Sequence, residues 1–238
     1  MTINLYPKFE EVFVDDTLKG IFYPLCTVEL SSGKSVHFVS HNGLWTDYES
    51  NSDQNTEEYY RFTLCEGKYA FSGDITIYKG HKVAKAIQYA LEQEFWNNED
   101  FYFKTKLSLA DYTTRVIPLV ADLADDDLDL DSYIEFFYAY SFNKLVFLKT
   151  GQFGRYKQLI DGFSKATPSQ YVYQEGDEDF DDTMSIQYFD EMLPDTLSFA
   201  NYNAIGMTIG YQFFADGNDC ALYYSESEEA VICFNSYS

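Results

Sequence analysis

Carboxylates are the most abundant groups here that could do chemistry, and their spacing is uneven. Between Arg115 and Lys144 the chain carries seven acids, Asp122, Asp125, Asp126, Asp127, Asp129, Asp131 and Glu135, and no basic residue. After Lys165 it carries fourteen more, beginning with Glu175, Asp177, Glu178, Asp179, Asp181 and Asp182, and again no Lys, Arg or His. These stretches hold 21 of the 39 acids and none of the 16 Lys and Arg residues. Alternating aspartates suit calcium, but an EF-hand loop needs Gly at its sixth position and Glu at its twelfth. Counting from Asp125 puts Leu130 and Phe136 there, and counting from Asp177 puts Asp182 and Tyr188 there. Both matches fail, so no metal and no cofactor is expected.

Other chemistries find less support. The cysteines Cys26, Cys65, Cys220 and Cys233 form no CxxC pair and lie in apolar or strand-like runs, which reads as buried reduced thiols. His41 could approach Cys26 across a hairpin, but a histidine beside a buried thiol is usually structural. No GxSxG, HExxH or P-loop pattern occurs, and Gly151 and Gly154 followed by Arg155 lack the third glycine of a dinucleotide fingerprint. No catalytic residue is therefore assigned, and the chain reads as a non-enzyme.

The net charge of −23 argues against nucleic acid or an anionic membrane as a direct partner. Solubility alone asks for a net charge of only about 2 to 8 in a small domain. A one-signed face instead speeds capture of a cationic partner. The expected function is an acidic binding or inhibitory protein of the immunity type. Its partner would be a basic toxin or nucleic-acid-binding protein, a nuclease for example, whose active surface it covers. The resemblance to immunity proteins is one of composition and size only. The expected partner-binding residues are Asp125, Asp126, Asp127, Asp129, Asp131, Tyr133, Tyr173, Glu175, Asp177, Glu178, Asp179, Asp181 and Asp182, the tyrosines serving as amphipathic anchors. Two alternatives are an enzyme using carboxylates in an unfamiliar arrangement and a nucleic-acid mimic that blocks a DNA-binding protein.

The elements that would position these residues point to an α+β class: predominantly antiparallel β-sheet, two to four helices and a C-terminal β-meander. With 22 Tyr and 21 Phe the chain has the material for a large core. Residues 21–30 and 35–40 read as one hairpin, and 59–65 with 69–78 as a second. Val83, Ile87, Leu91 and Phe95 recur at helical spacing, with Asn97 and Asn98 as a stop. Residues 101–107 alternate like a strand, 109–123 read as a helix kinked or divided at Pro118, and 133–140 and 145–148 read as strands. The first of these two could instead be a short helix capped by Asp131. A helix is expected over 153–163, and strands over 171–174, 184–189, 208–214, 220–224 and 230–234. One domain spanning 1–238 is expected, with 121–131 the best place for a subdivision. Residues 1–8 lack a charged segment followed by an apolar one, no stretch approaches the roughly 20 apolar residues of a membrane span, and the cytoplasm is the expected location.

Overall fold

A computed structural model describes residues 2–41, 43–46, 55, 59–151, 172–173, 201–208, 210–215 and 219–236. The expected helix at 153–163 and strand at 184–189 lie outside these residues. Among the described residues nine strands form two antiparallel sheets. The smaller is β1 (Thr2–Leu5), β2 (Tyr23–Glu29) and β3 (Ser35–Ser40), in that order. The larger contains β4 (Tyr59–Cys65), β5 (Lys68–Phe71), β6 (Val172–Tyr173), β7 (Asn203–Thr208), β8 (Asp219–Ser225) and β9 (Ala230–Ser236). Its order is β5-β4-β9-β8-β7-β6, so the C-terminal meander is present and β4 closes against its last strand.

Among the described residues there are five α-helices: α1 (Phe9–Val12, a single turn), α2 (His81–Asn97), α3 (Glu99–Thr105), α4 (Leu109–Val120) and α5 (Leu130–Thr150). None is long and apolar enough to cross a membrane. One apolar core runs from Leu5 to Cys233 and draws on both sheets and all five helices. A smaller cluster, including Tyr59, Tyr223 and Phe234, covers the other face of the large sheet. With apolar residues on both faces, β8 and β9 read as nearly continuous apolar runs, not as alternating ones.

Aromatic rings fill the core. Phe95 stacks on Tyr102 at 4.8 Å and Tyr112 on Tyr138 at 4.1 Å, which ties α2, α3, α4 and α5 together. The sheets are joined by polar atoms as well. The Tyr60 hydroxyl lies 2.7 Å from the Val39 carbonyl and 2.8 Å from Asn235 Oδ1. The Tyr140 hydroxyl donates to the Pro24 carbonyl at 2.5 Å, locking α5 to the start of β2.

Three expectations are corrected. Residues 101–107 are not a strand: 99–105 form α3, with Glu99 and Asp100 in its first turn, where the helix dipole favours acids. Residues 133–140 and 145–148 are not two strands but parts of α5, and Asp129, not Asp131, is its cap. This helix buries Tyr133, Ile134, Phe137, Tyr138, Tyr140, Phe142, Leu145 and Val146, so it is apolar on most sides and loses the one-sided periodicity that marks a surface helix. Residues 208–214 are not a strand: β7 ends at Thr208, and Gly210–Gln212 turn as a 3-10 helix whose Gly210 N–H donates to Asp219 Oδ1 at 2.7 Å. The turn delivers Phe213 and Phe214 to the core.

Pro118 neither breaks nor divides α4, which continues to Val120 before a 3-10 turn over Ala121–Leu123. Cys26, Cys220 and Cys233 are buried free thiols as expected, whereas Cys65, at the end of β4, is exposed.

Candidate functional site

The first acidic run forms the connection from α4 to α5. Its position is set from below by Leu128, which is buried against Gly80. Gly80 adopts φ +79 as the residue before α2, and a Cβ there would stand 2.7 Å from Leu128 Cδ1. Only glycine meets both demands, and the loop is thereby seated on the N-terminus of α2.

Asp129 caps α5. Its Oδ1 accepts from the Ser132 N–H at 3.1 Å, and its Oδ2 accepts from the Ser132 hydroxyl at 2.9 Å and from the Trp45 indole N–H at 3.3 Å. Partial burial raises the Asp129 pKa, but the Ser132 and Trp45 donors outweigh it and hold the carboxyl below the ordinary aspartate value of 3.8. A depressed folded-state pKa contributes stability that is full above that ordinary value and is lost as pH falls below it. Asp129→Ala is therefore expected to cost about 1 kcal/mol of unfolding free energy at neutral pH. The difference from the unsubstituted protein narrows in strong acid. Urea titrations at the two pH values check this; a gap that widens in acid contradicts it.

The other aspartates of this run are spent on nothing comparable. Asp126, Asp127 and Asp131 are exposed, as is Asp122. Asp125 is half-buried, and its Oδ1 is enclosed without a hydrogen-bond partner. Among the described residues no Lys or Arg pairs with any of these five, while several cations elsewhere pair with other acids: Lys19 with Glu92, Lys85 with Asp16, Arg115 with Glu94 and Lys149 with Glu99 and Asp100. Apolar surface adjoins the run. Trp45 is 55% exposed although its indole N–H is held by Asp129, and Leu119 in the last turn of α4 and Leu123 at the start of the connection are exposed.

Tyr133 is a correction. It is fully buried, and its hydroxyl lies 2.9 Å from the Gly20 carbonyl and 3.1 Å from Gln88 Oε1, so it is a core residue and cannot anchor a partner. Of the second run, Tyr173 belongs to β6 and pairs with Met207. Its side chain, and Glu175, Asp177, Glu178, Asp179, Asp181 and Asp182, lie outside the described residues. The basic-free tail is also less one-signed in space than in sequence. Arg61 pairs with Glu228 at 3.2 Å, and Lys34 lies 3.6 Å from Glu226 and 3.8 Å from Glu229. The turn between β8 and β9 is thus neutralised by residues far upstream.

Trp45 is the member of the site that sequence reasoning missed. Nothing in the spacing of Gly43-Leu44-Trp45-Thr46 distinguishes it from a core residue; the bond to Asp129, 84 positions away, makes it part of the surface.

The remaining chemistry is sparse. Among the described residues no three His, Cys, Asp or Glu side chains are grouped to hold a metal ion. Burial raises the Cys26 pKa, with Cys220 adding to it, and the thiol is a poor nucleophile. The His41 ring is buried against Tyr60 and Tyr78, at 5.2 Å from each. No protein-family model, curated protein or solved structure matches this chain.

Proposed function

We propose that the chain is a binding protein for a basic partner and that the connection between α4 and α5 is its docking surface. One observation carries the reading: an acidic loop that no described Lys or Arg pairs with outside its cap, seated on α2, with an exposed tryptophan bonded to it. Exposed carboxylates supply long-range attraction, which speeds encounter and gives salt dependence. Trp45, Leu119 and Leu123 supply the apolar area on which a docked complex is held, since tryptophan is enriched among residues that carry binding energy. The partner class is a protein with clustered Lys and Arg, such as a toxin or nuclease that binds phosphates. Covering those groups would inhibit it, as an immunity-type protein does.

The test is affinity chromatography. The chain is immobilised, a lysate of the source organism is loaded at low ionic strength, and bound protein is eluted on a salt gradient beside a column carrying Trp45→Ala. The expected result is a basic protein that elutes late from the first column and early from the second. A partner that binds both columns equally, or one of acidic composition, contradicts the proposal.

A further inference from the structure

A second feature has nothing to do with the acidic loop. A cleft of about 190 Å³ opens between α2, α5, the segment leading into α1 and the turn before β2. On one wall a network is already complete. Lys19 Nζ lies 2.7 Å from Glu92 Oε2, and Gln88 Nε2 donates to Glu92 Oε1 at 3.1 Å. Gln88 Oε1 in turn accepts from the Tyr23 hydroxyl at 3.3 Å. Both oxygens of Glu92 are therefore engaged.

Lys144 stands apart from this network. Its Nζ lies 5.9 Å from the ring centroids of both Trp96 and Tyr140, and among the described residues no carboxylate pairs with it. Burial lowers its pKa despite the fields of Glu92 and Glu10. Two aromatic faces offset only part of the cost of drying an ammonium. An anion reaching Nζ would offset the rest and would form charge-assisted hydrogen bonds with its unspent protons.

Size and charge narrow the class. The cleft is smaller than the roughly 300–1,000 Å³ of pockets that enclose drug-sized ligands, which excludes a nucleotide. Its lining holds three lysines and two glutamates, a slight positive excess in a protein of net charge −23. A monoanion fits that excess, whereas a phosphate dianion would meet Glu92 and Glu10 with surplus charge. The aromatic rings of the lining that lie against Nζ are those of Trp96 and Tyr140.

We propose that this cleft binds a small monocarboxylate, its carboxylate on the Lys144 ammonium and its flat apolar body against Trp96 and Tyr140. The test follows the ¹⁵N resonance of the Trp96 indole in the full chain during titration with benzoate, with benzyl alcohol as the neutral counterpart and inorganic phosphate as the dianion. Benzoate is expected to give a saturable shift. Benzyl alcohol with the unsubstituted protein, phosphate with the same protein, and benzoate with Lys144→Met are each expected to bind at least about tenfold more weakly. Absence of a saturable benzoate shift overturns the proposal. So does equal affinity for benzyl alcohol or phosphate, a comparison that needs no variant, or undiminished benzoate binding by a folded Lys144→Met protein.

Discussion

Replacing Asp122, Asp126, Asp127 and Asp131 together by Asn is expected to weaken binding of the basic partner by about one to three orders of magnitude while leaving the fold intact. All four side chains are exposed, and among the described residues none of them forms an ion pair, so no structural bond seen there is lost. Each would contribute about 0.2–1 kcal/mol to a solvated interfacial pair, so four give about 1–4 kcal/mol, and about 1.4 kcal/mol is a factor of ten. The loss should fall mainly on the association rate, because the loop acts at a distance before contact is made. Thermal stability should stay level or rise, since like charges within a Debye length of about 8 Å repel one another. Asp131 in the first turn of α5 is the one offsetting loss, worth about 0.3–1 kcal/mol against the helix dipole. Asp129 is left out of the set because it caps α5; including it would confound binding with unfolding. Stopped-flow association and a melting curve read the two effects separately. A variant that melts well below the parent would show that the run serves structure.

The largest expected effect on stability comes from Phe22→Ala. Phe22 is 2% exposed, and its ring lies 5.2 Å from those of Tyr60, Phe62 and Phe71, 5.5 Å from Tyr78 and 6.1 Å from Phe13. It stands where the small sheet, the β4–β5 hairpin and α1 meet. Truncation removes the transfer free energy of the ring and leaves a cavity that five surrounding rings cannot readily fill, a cost of about 3–5 kcal/mol. That is a large share of the roughly 5–15 kcal/mol by which a domain is stable. Urea unfolding should show a lower midpoint at an unchanged slope. A loss below about 1 kcal/mol would mean that the aromatic cluster is not the keystone of the core. The acidic surface and the aromatic core are thus separable: one set of substitutions changes binding at constant stability, and the other changes stability alone.

How much of this could be read in the sequence differs from element to element. The first hairpin was legible because β2 and β3, buried almost throughout, are β-branched and aromatic runs set around a turn. α2 was legible because its buried face recurs at close to four residues through Val83, Ile87, Leu91 and Phe95. α5 was not legible because burial on most sides erases the period, leaving a run of Tyr, Phe and Ile that reads as β. α3 was lost for a different reason. Seven residues alternating apolar and polar fit either structure, and what decides is Tyr102 stacking on Phe95, a contact that local pattern does not encode. The acidic loop was legible as composition, but its division of labour was not. Asp129 and Asp131 are the same residue type two positions apart; the first bonds Ser132 and Trp45, and the second faces solvent. The neutralisation of Glu228 by Arg61 was hidden by a separation of 167 residues. In the same way, Glu92 read as an ordinary helix position and Lys144 as a residue between two strands until the fold places them in one cleft.

The docking reading is tested most directly by the dissociation constant of the purified partner, measured over a range of salt concentrations for the parent and for the four-Asn variant. A steep fall of affinity with salt for the parent, and a clearly shallower one from a weaker starting point for the variant, is the expected result. Superimposable salt curves for the two proteins would contradict the account, because the loop would then contribute nothing to what the chain binds.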